Sequence, residues 1–102
     1  MLRPTLAALV FSASLAAPAF AWDDHMSPAR LKRLDDRAAA RNLPINHLRA
    51  IEIAKANGVV TVDEIDLDED DEWEVEGRDA NGREIEVELS ARDGKVKEID
   101  RD

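Results

Sequence analysis

Residues 72–89 read EWEVEGRDANGREIEVEL, and this stretch decides the fold. Apolar and charged side chains alternate on both sides of the Asn81-Gly82 pair, which is the strongest short-range indication of a β-hairpin. A two-residue loop made of that pair would set Val75 opposite Glu88, so that an apolar side chain faces a charged one. We therefore reject the two-residue loop.

A three-residue loop over residues 80–82 gives a consistent register, because residues directly opposite each other share a face of the sheet. It pairs Trp73 with Leu89, Val75 with Val87, and Gly77 with Ile85. Such a loop is usually a type I turn followed by a left-handed residue, and Gly82 stands where that conformation is required. Asp79 takes the first turn position, where its carboxylate can bind the backbone.

The other face of this hairpin is strongly acidic. The same register pairs Glu74 with Glu88 and Glu76 with Glu86, and only Arg78 with Glu84 is a favourable pair. Like charges directly opposite cost up to ~1 kcal/mol per pair. The face is either a solvated surface that favours solubility and discourages edge pairing, or a surface for a basic partner or cations. The second interpretation assigns partner binding to Glu74, Glu76, Glu84, Glu86, Glu88, Asp68, Asp70 and Asp71.

Two helices are predicted ahead of the strands. The first begins with Ser27 as N-cap and Pro28 at the first helical position, and it extends to about Asn42. Its apolar stripe consists of Leu31, Leu34 and Ala38. The second is capped by Asn46 and ends at Asn57-Gly58. Its stripe consists of Leu48, Ile51 and Ala54, with Ala50 beside Ala54 for a close approach, and His47 is expected to be solvated.

The remaining strands lie on either side of the hairpin. Residues 59–67 are predicted as a strand with Ile65 and Leu67 inward, because a helix there would scatter these two among acidic residues. Residues 68–72 form an acidic turn, residues 91–94 a second turn, and residues 95–99 a last strand. With Leu89 opposite Val96, Lys97 falls opposite Glu88. A regular strand would then put Ile99 on the outer face and Glu98 on the inner one, so we expect a bulge or an early strand end.

The element order is therefore helix, helix and four antiparallel strands in a meander. We predict an α+β fold in which the two N-terminal helices pack on one face of the four-stranded sheet. The helices cover the apolar hairpin face formed by Trp73, Val75, Ile85, Val87 and Leu89.

The N-terminal residues predict export. Residues 1–21 combine Arg3, a short apolar run and the triplet Ala19-Phe20-Ala21, the pattern of a cleaved signal peptide. The predicted organisation is a signal peptide at 1–21, an N-terminal tail and helix at 22–44, and a domain at 45–102. We expect a periplasmic or secreted protein without a stable membrane anchor after cleavage.

The amino-acid composition argues against several classes of function. Residues 45–102 carry eight basic and nineteen acidic side chains, a charge that repels nucleic acid and attracts cationic partners. The chain has no cysteine, which excludes disulfides and thiolate chemistry. We expect a monomer that binds a protein partner.

No catalytic or cofactor site is predicted. Residues 23–26, Asp-Asp-His-Met, could form a weak metal site, although a disordered tail is the preferred interpretation. A calcium loop starting at Asp66 fails, because Asp71 stands where glycine is required and Gly77 where a glutamate is required. Two interpretations of residues 68–72 remain, namely loose cation binding and a solvated turn.

Several segments together resemble a PepSY domain. The resemblance covers about residues 45–99 and lies in residues 50–54, 58–60, 73–76, 79–87 and 93–96. PepSY domains occur in propeptides of thermolysin-type peptidases and in small exported bacterial proteins, and they are associated with peptidase inhibition or control. The element order is also similar to one half of the bacterial β-lactamase inhibitor protein.

The resemblance implies a non-enzymatic binding module outside the cytoplasm, and it transfers no site residues. Two hypotheses follow. The first is a module that regulates or inhibits a peptidase or another envelope protein. The alternative is a periplasmic cation-binding or cation-responsive protein that uses its acidic turn.

Overall fold

A computed structural model describes residues 24–102 of the chain. It consists of a short 3-10 helix (Asp24–Met26), α1 (Pro28–Ala40), α2 (His47–Ala56), β1 (Thr61–Leu67), β2 (Glu72–Arg78), β3 (Glu84–Ser90) and β4 (Val96–Arg101). The strands form one antiparallel sheet in the order β1-β2-β3-β4. The predicted α+β meander is confirmed. The predicted signal peptide lies outside the described residues.

The central hairpin has the predicted register, since Trp73 pairs with Leu89 and Val75 with Val87. Gly82 has a φ of 80°, so the left-handed position is where the three-residue loop requires it. The Asp79 carboxylate accepts hydrogen bonds from the backbone N–H groups of Asn81 and Arg83 at 2.9 and 3.0 Å. The turn is thus held by the side chain that the sequence indicated.

The core lies between the helices and the inner sheet face. The sheet contributes Ile65, Leu67, Trp73, Val75, Ile85, Val87 and Leu89, and the helices contribute Leu34, Ala38, Ala50 and Ala54. Trp73 is fully buried, and its Nε1–H donates a 2.8 Å hydrogen bond to the carbonyl oxygen of Ile45, in the segment that joins the helices. Burial of the indole therefore leaves no unpaired donor.

Both predicted helix starts are confirmed. The Ser27 hydroxyl accepts from the N–H of Arg30 at 3.1 Å, and the Asn46 side chain accepts from the N–H of Arg49 at 2.9 Å. The predicted stripe of α2 is wrong at Leu48, which is 63% exposed. Ala50 is fully buried, and two residues along a helix turn the side chain through about 200°, so Leu48 faces solvent.

His47 is also not solvated as predicted. Its Nδ1 lies 2.7 Å from Asp35 Oδ2, and its backbone N–H donates to Asp35 Oδ1 at 2.8 Å. The side chain is only 14% exposed. Asp35 on α1 therefore accepts from one of the unsatisfied N-terminal N–H groups of α2 and links the two helices.

A close approach occurs where β1 bulges between Val62 and Glu64. A Cβ atom on Gly77 would overlap the carbonyl oxygen and carbon of Thr61 on the neighbouring strand. Only glycine allows the two backbones to approach in this way.

The last strand contains the expected bulge, but its length and its pairing with β3 differ from the prediction. It extends to Arg101, and a bulge between Glu88 and Leu89 makes Lys97 the extra residue. Glu98, not Lys97, therefore lies opposite Glu88. The bulge shifts the alternation by one residue, so Ile99 pairs with Val87 on the helix side and not on the outer face.

The N-terminal segment is ordered over residues 24–26, where a disordered tail was the preferred prediction. Met26 packs against the core, and the Nδ1 of His25 lies 3.6 Å from a carboxylate oxygen of Glu64. These contacts place the 3-10 helix beside β1.

Candidate interaction surface: the acidic face of the sheet

The outer face of the sheet carries eight carboxylates in two rows that cross all four strands. Strand register aligns one row as Glu64, Glu76, Glu86 and Asp100, and the other as Asp66, Glu74, Glu88 and Glu98. We call these eight residues the acidic face. Neither row contains a basic residue.

Glu76–Glu86 and Glu74–Glu88, at the centre of the acidic face, are narrow pairs of the β2–β3 ladder, in which the two strands lie closest together. Asp79 N–H donates to the Arg83 carbonyl, and alternation along the ladder then makes Glu76–Glu86 and Glu74–Glu88 pairs that exchange no backbone hydrogen bonds. Side chains are closest in such pairs. Carboxylate oxygens of Glu74, Glu86 and Glu88 all lie within 4.8 Å of one another.

This crowding changes the protonation of the carboxylates. Burial, a hydrogen bond with Asp68 and repulsion from Asp68, Glu86 and Glu88 raise the pKa of Glu74 to about 7. Burial, followed by repulsion from neighbouring carboxylates, also raises the pKa of Glu86 and the pKa of Glu88. Near neutral pH the centre of the acidic face is therefore incompletely ionised and still crowded with negative charge.

Basic side chains reach only the margins of this face. Arg30 lies 3.4 Å from Asp66, Arg78 3.9 Å from Glu84, and Lys97 3.4 Å from Glu72. Within residues 24–102, six members of the acidic face have no ion pair at 4.0 Å or less, namely Glu74, Glu76, Glu86, Glu88, Glu98 and Asp100. The largest block of uncompensated charge thus lies on β2, β3 and β4.

A shallow depression opens at one end of the same face. It is lined by Asp63, Glu76, Gly77, Glu84, Ile85, Glu86, Asp100 and Asp102. A hydrogen bond with the Asp102 carboxyl raises the pKa of Glu84. The depression could receive a cationic side chain, because six of its eight lining residues are acidic.

The structure separates the candidate residues of the sequence into two groups. Glu74, Glu76, Glu86 and Glu88 come together at the centre of the acidic face, and Glu84 lies at its margin. Of the three turn residues, Asp70 has an exposed side chain, whereas Asp68 and Asp71 have structural contacts. Asp68 Oδ1 accepts from the backbone N–H groups of Asp70 and Glu72 at 2.8 and 3.0 Å.

Asp71 is the most engaged residue of that turn. Its carboxylate lies 3.0 Å from Arg41 Nη1 and 2.6 Å from Arg92 Nη2, and its φ is 63°. Its side chain is only 19% exposed. Asp71 therefore fixes the turn against α1 and the β3–β4 connection and is poorly available to a partner.

Four members of the acidic face were not identified from the sequence as candidate binding residues. Glu64 and Asp66 follow from the alternation of β1 around Ile65, so the pattern could have revealed them. Glu98 and Asp100 could not be placed without the bulge at Lys97, because an unbulged strand turns them to the other side.

The carboxylates of the acidic face produce a negative electrostatic field that attracts cations and basic groups.

No helix among the described residues is long and apolar enough to cross a membrane.

Comparison with known families places α2 and most of the sheet inside one family domain. A family model described as PepSY, "Peptidase propeptide and YPEB domain", matches residues 44–100. This range contains α2, β1, β2 and β3 and most of β4, and it agrees with the resemblance found in the sequence at residues 45–99. No curated protein and no solved structure gave a match.

Proposed function

The chain belongs to the PepSY family, and from this premise we propose that it is a non-catalytic binding module that docks a basic protein partner on its acidic face. PepSY domains are typically non-catalytic and extracytoplasmic, and the family description associates them with peptidase propeptides. An exported peptidase is therefore the first candidate partner, and regulation or inhibition is the proposed effect. The proposed location is the periplasm or the extracellular medium.

The observation that carries the proposal is the order of the carboxylates. A solvated face can alternate Glu with Lys and so gain favourable cross-strand pairs. This face instead aligns four acidic residues in each of two rows. The resulting repulsion is unfavourable in the free domain, and a basic partner relieves it on binding, which contributes to affinity and speeds encounter.

The experiment compares wild type with Glu86→Gln/Glu88→Gln. A matched control, Asp36→Asn/Glu52→Gln, removes the same charge from exposed helical positions that make only surface ion pairs. Each protein is immobilised and exposed to envelope extract, and recovered peptidases are then purified and assayed for inhibition. We expect the face variant to recover less partner, and the control variant to match wild type.

A second expectation concerns salt. Binding to the purified partner should slow as ionic strength rises, because screening at 0.15 M acts over ~8 Å. Equal recovery by all three proteins, with no salt dependence, would show that the glutamates form only a solvated surface.

One observation favours the alternative, a cation-binding or cation-responsive protein. The carboxylates of Glu74, Glu86 and Glu88 are close enough to share one ion, whereas the acidic turn is occupied by its own hydrogen bonds and ion pairs. Calorimetric titration with Ca²⁺ and Mg²⁺ tests this candidate. Binding that Glu86→Gln/Glu88→Gln abolishes would favour it, and a partner complex insensitive to chelators would favour the protein-binding function.

A further inference from the structure

We propose that the open edge of β4 receives an extended segment of the basic partner as a fifth strand, with basic side chains at every second position. This inference rests on the proposed function, since it specifies how the partner of the acidic face is held.

The edge of β4 has free backbone groups. The Asp102 N–H donates to the Glu84 carbonyl at 3.2 Å, and β3 and β4 stay in one register from there to Glu98. Alternation then turns the N–H and C=O groups of Glu98 and Asp100 toward β3, and those of Ile99 and Arg101 away from the sheet. In the described part of the chain, no strand lies on that side of β4.

The opposite edge of the sheet is partly covered. Arg30 Nη1 donates to the Ile65 carbonyl at 2.6 Å. This carbonyl points away from β2, because Asp68 N–H donates to the Glu72 carbonyl and alternation along the ladder then turns the backbone groups of Ile65 outward. The 3-10 helix also lies beside β1. Since these contacts obstruct the β1 edge, we place the added strand on β4.

The chemistry of the added strand follows from its neighbours. Glu98 and Asp100 end the two acidic rows at the edge, each with a glutamate of β3 beside it. A lysine or arginine placed next to either of them would therefore face carboxylates on two strands. On the helix side, Ile99 is 40% exposed, so an apolar side chain there would gain burial. The partner segment is thus basic on one face and apolar on the other.

A second copy of this chain does not fit the same edge. An antiparallel copy of β4 that keeps both faces aligned must pair even-numbered residues with even-numbered ones. Glu98, Asp100 and Asp102 are all acidic, so such pairing places like charges opposite each other. The bulge at Lys97 also ends the regular edge, and edge bulges and charges are known barriers to self-pairing. The site therefore selects a basic strand of about four residues.

The test uses two peptides of equal charge and composition. One alternates Lys and Val over six residues, and the other has three Lys followed by three Val. Binding is followed by amide NMR and hydrogen exchange on the full domain. We expect the alternating peptide to bind about tenfold more tightly and to protect the amides of Ile99 and Arg101, because strand addition uses backbone hydrogen bonds.

Two variants localise the effect. Ile99→Pro removes an N–H that points away from β3, a position where a strand tolerates proline, and it should abolish the preference for the alternating peptide. Glu98→Lys/Asp100→Lys keeps the backbone groups of the edge and reverses its charge. This variant should bind an alternating Glu-Val peptide in place of the alternating Lys-Val peptide.

The outcomes separate this inference from the proposed function. Equal affinity for both basic peptides, with no protection at Ile99 and Arg101, would overturn the edge site and leave docking on the acidic face intact. Failure of both peptides to bind would also overturn the edge site, whereas docking on the acidic face is decided separately by partner recovery with Glu86→Gln/Glu88→Gln. Concentration-dependent dimerisation that protects the same amides would show that the edge pairs with a second copy, which also overturns the inference.

Discussion

Glu74 and Glu88 face each other on adjacent strands at a narrow pair of the antiparallel ladder, with no basic side chain in their row. The carboxylates of this pair and of Glu86 lie within 4.8 Å of one another. The free domain therefore holds unfavourable charge at the centre of its sheet, and several measurable properties depend on it.

Stability should fall as pH rises from about 4.5 to about 7. The pKa of Glu74 is raised from its ordinary value of 4.5 to about 7, so the folded state favours the protonated form. The stabilisation contributed by this shift is fully present below the pKa of the unfolded state, and it is lost as pH rises through the pKa of the folded state. We expect a loss of about 1 to 2 kcal/mol, less than the full shift because the carboxylates are partly hydrated.

The opposite slope should appear at lower pH. Hydrogen bonds from backbone N–H groups lower the pKa of Asp79 and the pKa of Asp93 below 3.8, so their contribution is lost as pH falls further. Thermal midpoints from pH 2.5 to 8 should thus pass through a maximum between about pH 4 and 5. A Glu74→Gln variant should flatten the upper slope, and an unchanged slope would contradict the assignment.

Added salt should stabilise the domain. Screening weakens the repulsion between Glu74 and Glu88 and between Glu76 and Glu86. The thermal midpoint should rise between 10 and 300 mM NaCl, and Glu86→Gln/Glu88→Gln should raise it at low salt and reduce its salt dependence. A midpoint that falls with salt would mean that favourable ion pairs dominate.

Two glycines should differ sharply on substitution by alanine. Gly82→Ala meets no atom within 4 Å, and its φ of 80° is the cause of strain, so the cost should be ~1 kcal/mol. Gly77→Ala overlaps the Thr61 backbone and should cost several times more, because β1 must move. Urea unfolding of both variants measures the difference, with Asn81→Ala as a control that a type I turn tolerates.

Asp35→Ala should destabilise the domain by about 1 to 3 kcal/mol, because it removes both hydrogen bonds to His47 and leaves a partly buried N–H unpaired. Asp36→Ala is the matched control. Asp36 pairs only with exposed Lys32, and such surface pairs contribute little. Equal midpoints in urea for the two variants would show that the contact between α1 and α2 is dispensable.

The hairpin could be read from the sequence because local rules agree there. Period-two alternation, the turn chemistry of Asp79 and Gly82, and apolar pairing all select one register, which the structure has. The errors arise where tertiary contacts decide. His47 contacts Asp35, twelve residues earlier in the chain, and no local pattern specifies that contact.

The candidate surface was predicted at its centre and not at its edge. Glu74, Glu76, Glu86 and Glu88 followed from the hairpin alone. Glu98 and Asp100 depend on one extra residue at Lys97, and a single bulge reverses the direction of every later side chain. Asp71 looked like an available charge because its two arginine partners are 30 and 21 residues away in the chain.

The strand order also has a kinetic consequence. Every strand pairs with its neighbour in the chain through a connection of four or five residues, so each pairing closes only a short loop and loses little chain entropy. Low contact order of this kind is associated with fast folding. The sheet can thus form by successive pairing of strands that are neighbours in the chain, and the Trp73–Ile45 hydrogen bond links it to the segment between the helices.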